Sequence, residues 1–152
     1  MRAFFASLCM FVIVAISSSA SAAETSFNGT WSIDLRSKTE QESRVECGLA
    51  TFVLVQNGNR ISGDHTFSTP GCGRLNEGGE RTVKGVVVGN TAVLVVTSGR
   101  NGAVVMGKAT KDGTFLLWQT LEEIRQGEPE GDSPLILGKG RLARQQAHEN
   151  NP

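Results

Sequence analysis

The stretch RTVKGVVVGNTAVLVVTS, residues 81–98, decides the fold. Two valine-rich runs flank Gly89-Asn90. β-Branched side chains are stiff at χ1 and pack well on a pleated surface, so both runs read as strands. Gly and Asn tolerate the positive φ of a two-residue hairpin loop, so the runs are predicted to fold back on each other. That register sets Gly85 opposite Leu94 and Val83 opposite Val96. The same pattern recurs on either side. Residues 50–56 and 60–67 turn around Asn57-Gly58, which pairs Leu54 with Ile61, Phe52 with Gly63 and Ala50 with His65. Residues 103–111 and 114–122 meet at Asp112-Gly113, which pairs Trp118 with Gly107 and Leu116 with Ala109. Residues 27–35 alternate cleanly, with Phe27, Trp31, Ile33 and Leu35 on one face. A last run covers 135–143, after a Gly/Pro/acidic loop at 125–134.

The chain is thus all-β, with eight short strands joined mostly by tight turns. Eight sequential antiparallel strands close most simply as an up-and-down barrel, which leaves no exposed sheet edge. An open sandwich is the alternative. In three hairpins a bulky residue faces a Gly on the more apolar side, a size alternation that barrel curvature requires. The expected interior is Trp31, Ile33, Phe52, Leu54, Ile61, Phe67, Val83, Val87, Leu94, Val96, Val105, Leu116, Trp118 and Leu142.

Residues 1–22 read as a secretory signal peptide. Arg2 is followed by an apolar run at 4–16, shorter than the roughly 20 residues that a helical bilayer span needs. Ala20-Ser21-Ala22 then supplies the small residues a signal peptidase requires. The mature domain is read as 23–144, with 145–152 a disordered tail. Removing Arg2 turns the balance of 15 basic and 15 acidic groups into one net negative charge. That charge offers no footprint for nucleic acid or an anionic bilayer. A periplasmic or secreted location follows from the signal peptide. Cys9 is lost with it, which leaves Cys47 and Cys72 to form one disulfide in an oxidising compartment. Both flank the second and third strands at the same end. In the chain-entropy model such a loop is worth about 3–4 kcal/mol.

Gly29-Thr30-Trp31 on the first strand, with Arg141 and Arg144 near the last, resembles the signature of the calycin superfamily of lipocalins and avidins. The resemblance implies that Gly29 and Trp31 close one barrel end under a basic residue from the last strand. Register puts Arg144 on the Leu142 face, so Arg144 is expected over the indole. The aromatic cavity residues that avidins use for biotin are absent, and biotin binding is not implied. The chain also resembles the periplasmic inhibitors of secreted metalloproteases, which are small exported barrels with an early Gly-x-Trp and one disulfide. Those act through an N-terminal segment, and here only residues 23–26 precede the first strand.

The chemical motifs are sparse. Residues 102–109 mimic a phosphate-binding loop, but Ala109 stands where Ser or Thr should hold magnesium, and a β-run fills the middle. Asp64 and His65 are successive strand residues that point to opposite faces, as do Glu122 and Glu123. No enzymatic activity, cofactor or metal is expected, since the two histidines and two mature cysteines make no ligand set. Asn28-Gly29-Thr30 is a glycosylation sequon with Asn28 facing outward.

Two functions remain. In the first, an apolar or amphiphilic small ligand sits in the barrel against Phe52, His65 and Trp118. In the second, the chain is a protein-partner module of inhibitor or immunity type. It would act through loops, or through an outer face bearing Val86, Val93, Val95 and Met106, where an exported partner or a second copy would dock. The alternative for that face is packing beneath the 125–134 loop. A barrel filled by its own side chains favours the second function.

Overall fold

The computed structural model describes residues 26–131 and 133–146. Nine antiparallel strands run through them: β1 (Gly29–Asp34), β2 (Leu49–Asn57), β3 (Arg60–Ser68), β4 (Leu75–Asn76), β5 (Val83–Val88), β6 (Thr91–Thr97), β7 (Val104–Asp112), β8 (Phe115–Arg125) and β9 (Lys139–Arg144). Eight of them close a barrel in sequential order. β2 pairs with both β1 and β3, and β9 returns to β1 through Trp31↔Arg144 and Ser32↔Ala143. The ninth, β4, is a two-residue addition to β3 inside the Gly-rich loop, and was not expected. One short helix, α1 (Lys38–Glu42), interrupts the polar stretch after β1. Ser37 caps it, and Glu40 completes the capping box.

The three hairpins share one turn chemistry, and it differs from the one read from the sequence. Each loop begins with its glycine: Gly58 at φ +59°, Gly89 at φ +62° and Gly113 at φ +58°. That is the arrangement a type II′ turn requires. Gly89-Asn90 was already in this order, and Val83↔Val96 and Gly85↔Leu94 pair as expected. Asn57-Gly58 and Asp112-Gly113 were not, so Asn57 and Asp112 end their strands and the registers slip by two residues. Phe52 therefore faces His65 rather than Gly63, Leu54 faces Gly63, and Trp118 faces Ala109 rather than Gly107. A slip of two preserves which face each side chain takes. All fourteen expected interior positions accordingly lie in or against one core cluster. Irregular pairing after Met106 then brings Gly107 beneath the Trp118 ring. A Cβ on Gly107 would sit 2.3 Å from the indole Cη2, so the vacancy for Trp118 is real although the pairing differs.

The last strand is also corrected. It spans Lys139–Arg144, and Leu135, Ile136 and Leu137 lie outside the sheet, all buried. Three consecutive buried side chains cannot belong to a strand with one wet face, because strand side chains alternate. The loop before them hydrogen-bonds to the β6–β7 connection through Glu128 N to Asn101 O, Asn101 Nδ2 to Ser133 O, and Arg125 to Gly102 O. It belongs to the barrel end, and the outward valines stay exposed: Val86 at 48%, Val93 at 42% and Val95 at 37%.

The Cys47–Cys72 disulfide joins the segment before β2 to the loop after β3, with Cα atoms 5.2 Å apart. The signal peptide read at 1–22 lies outside the described residues, as does the tail from 147 onward. Gln145 is held to β1, its amide donating to Thr30 O and its Nε2 to Ser32 Oγ.

Candidate functional site

The barrel has two differently built ends. One carries the β2–β3, β5–β6 and β7–β8 turns, and Trp31 lies toward it, between Lys111 of β7 and Arg144 of β9. Its indole Nε1 donates to Phe27 O at 2.9 Å, and the Phe27 amide donates to Gln56 Oε1. The Arg144 guanidinium lies 5.6 Å from the Trp31 ring centre, with Nη2 donating to Asn28 O. Gly29, at φ +123°, leaves the space the guanidinium occupies. A Cβ there would sit 3.0 Å from Arg144 Nε. Gly29, Trp31 and Arg144 thus meet in one cluster, while Arg141 lies over Phe115 instead. Lys111 was missed by the sequence reading, yet its Nζ sits 4.5 Å from the Trp31 ring centre. Strand parity from Val105 through Ala109 would have pointed it inward. Partial burial and then the Arg144 charge push the Lys111 ammonium pKa down. A surface concavity of about 910 Å³ opens beside this end, lined by Thr30, Phe115, Ala143 and Gln145 among others.

At the opposite end, the mouth, the three residues expected to line a ligand site form one buried group. Phe52 stacks on His65 with ring centres 4.2 Å apart, and Trp118 tilts against Phe52 at 5.0 Å. Leu135–Leu137 seal this group from above. His65 Nδ1 donates to Thr51 O at 2.8 Å, and the Leu137 amide donates to His65 Nε2 at 3.2 Å. Those two bonds select the neutral Nδ1–H tautomer. Burial pushes the His65 pKa down to about 4, only partly offset by the Thr51 carbonyl. Trp118 Nε1 and Thr120 Oγ1 both donate to Leu137 O. Asn76 Nδ2, on β4, donates to Leu135 O at 3.0 Å. Asn76 is itself fixed, because its Oδ1 accepts from the Gly78 and Gly99 amides. Asn76, Thr120 and the three-residue seal carry no signature in the local sequence pattern beyond the unbroken apolar run Leu135-Ile136-Leu137 after Pro134.

Asp64 turns away from His65 and accepts from the Arg81 amide at 2.7 Å. Among the described residues no group of three or more His, Cys, Asp or Glu could hold a metal ion. Among the same residues no helix is long and apolar enough to cross a membrane. No family model, no curated protein and no solved structure matches this chain.

Proposed function

We propose that this chain is an exported, calycin-like barrel that acts as a protein-partner module of inhibitor or immunity type, engaging its partner from the outside. One observation carries the reading. The interior, from Trp31 and Leu54 through Phe52, His65 and Trp118 to Leu137, is a continuous cluster of the chain's own buried side chains. A barrel of this size is wide enough for side chains to fill and does not need a guest. The contact surface follows from the same packing. Val86 and Val93 are register partners across β5 and β6, and Val95 pairs with Met106 across β6 and β7, so the four make a contiguous outward patch. Solvent-facing valines in neighbouring strands suit a protein interface better than water. Export is supported by the signal-peptide pattern together with the Cys47–Cys72 bond.

The second reading, an apolar small ligand against Phe52, His65 and Trp118, is supported by the neutral ring group beneath the mouth. It requires Leu135–Leu137 to leave. Native mass spectrometry of the protein purified from its own host separates the two. The partner reading predicts the bare chain or a stoichiometric protein complex, with the complex abolished by Val93→Lys while the melting temperature stays unchanged. A retained small molecule in stoichiometric amount contradicts it.

A further inference from the structure

We infer that the barrel mouth is a peptide-binding site occupied in cis, and that Leu135–Leu137 is a stand-in for an apolar segment supplied in trans by a partner. The inference adds to the outer-face contact a second one at the mouth, opened by release of Leu135–Leu137, and rests on the partner-module reading only in taking the incoming ligand to be a polypeptide.

The mouth reads main chain, not only apolar bulk. Four side chains from three strands, β3, β4 and β8, converge on one segment, and all four bond to the backbone of Leu135 or Leu137. His65 accepts from the Leu137 amide, Trp118 and Thr120 donate to the Leu137 carbonyl, and Asn76 donates to the Leu135 carbonyl. A core built only to be filled has no reason to place an imidazole, an indole N–H and a carboxamide together where their partners are an unpaired backbone. The mouth groups are also held in place without the segment. Asn76 is fixed by Gly78 and Gly99, His65 by Thr51 and by stacking on Phe52, and Trp118 by its seat over Gly107.

The segment itself is separable from the sheet. It makes no strand pairing, and it lies between a connection exposed at 128–131 and at Ser133 and the exposed Gly138, just before β9 starts at Lys139. Leu135 holds φ +51°, a left-handed conformation that leucine rarely adopts and that persists only while its surroundings impose it. Departure of the segment breaks the bonds of Asn76, Trp118, Thr120 and His65 to its backbone and that of the Leu135 amide to Ser133 Oγ, and leaves the β8–β9 pairing from Gln119↔Lys139 onward intact. The side chains around the backbone contacts are neutral, so the ligand expected is an uncharged run of two or three large aliphatic residues in the bent form that Leu135–Leu137 takes.

The probe is the fluorophore-labelled heptapeptide Ser-Pro-Leu-Ile-Leu-Gly-Lys, which copies residues 133–139. It is titrated into the full chain and into Leu135→Gly/Leu137→Gly, whose own segment competes poorly. Occupancy in cis predicts saturable binding to the variant, at least about tenfold tighter than to the unmodified chain, because the apparent affinity scales with the fraction of open mouth. Adding Asn76→Ala to the variant weakens binding again. No saturable binding by a variant whose circular dichroism is that of a folded barrel overturns the inference. So does displacement of the segment by dodecanoate with none by the peptide, which points to an acyl-chain site. If the double variant does not fold, hydrogen exchange of the unmodified chain decides. The Leu137 amide is expected to exchange at least tenfold faster than the Phe52 and Val96 amides; equal rates, set by global unfolding, overturn the inference. Val93→Lys serves as the control. Peptide binding that survives it while partner capture is lost separates the mouth from the outer face.

Discussion

The two ends of this barrel are sealed by different means. At the Trp31 end the seal is made of side chains carried by strands already locked in the sheet: an indole bonded to Phe27, a guanidinium over its face, and Gly29 making the room. Opening that end means parting β1 from β9. At the mouth the seal is a piece of main chain outside the sheet, held by hydrogen bonds from buried polar side chains. Opening that end costs those bonds and three aliphatic contacts, and leaves all eight barrel strands paired. A closed barrel thus acquires one permanent end and one removable end without any change in strand number.

The largest effect is expected at the permanent end. Trp31→Ala removes a fully buried ring that closes the core, and should lower the unfolding free energy by about 3–5 kcal/mol in chemical denaturation. A loss of less than about 1 kcal/mol would mean that the first strand's tryptophan does not carry that closure.

The mouth should respond instead to acid. The folded His65 value of about 4 lies below the ordinary 6.5. Its neutral form therefore contributes stability in full above pH 6.5, and that contribution is lost as pH falls toward 4. Two and a half pKa units correspond to about 3 kcal/mol at the low end. Protonation also turns Nε2 from an acceptor into a donor facing the Leu137 amide, so the loss should begin with the segment. The partners of the ring are neutral: the Thr51 carbonyl, the Leu137 amide and the Phe52 ring. Asp34 at the barrel surface, held down to about 2 mainly by its bond to Arg36, titrates below this window. Unfolding free energies from pH 7.5 to 4 should fall for the unmodified chain and stay nearly flat for His65→Gln. Parallel curves would remove His65 from the account.

Much of the fold, though not the contrast between its ends, was legible in the sequence. The alternation at Gly29–Asp34 and the Gly/Asn turns defined a barrel, and inward faces were right because the register errors at Asn57-Gly58 and Asp112-Gly113 were even. The error arose because Asn-Gly and Asp-Gly favour a type I′ loop locally, while these hairpins take the Gly-first loop. The mouth was illegible for a different reason. Leu135-Ile136-Leu137 has the composition of a strand, and only the presence of Asn76, Trp118 and Thr120 around it turns it into a seal. Those residues are brought together from sites up to 59 positions apart in sequence. Lys111 sits between these cases, since its parity was readable but its aromatic partner was not.

The smallest effect expected is at Arg144. Arg144→Met keeps the stem packing over Gly29 and Trp31 but removes the charge. It should cost about 1 kcal/mol, offset in part because Lys111 loses a like-charged neighbour. A gain in stability would show that the two cations repel more than Arg144 attracts the indole.

The chain's two tryptophans give the most direct measurement, because one sits at each end. Trp31 Nε1–H is bonded to Phe27 O and Trp118 Nε1–H to Leu137 O. Hydrogen exchange of the two indole protons, followed by NMR at neutral pH with and without low denaturant, reports each seal separately. The Trp118 indole should exchange faster, at a rate insensitive to low denaturant, by local release of Leu135–Leu137. The Trp31 indole should exchange only with unfolding of the barrel. Equal rates with equal denaturant dependence would contradict this, since both ends would then belong to a single cooperative core.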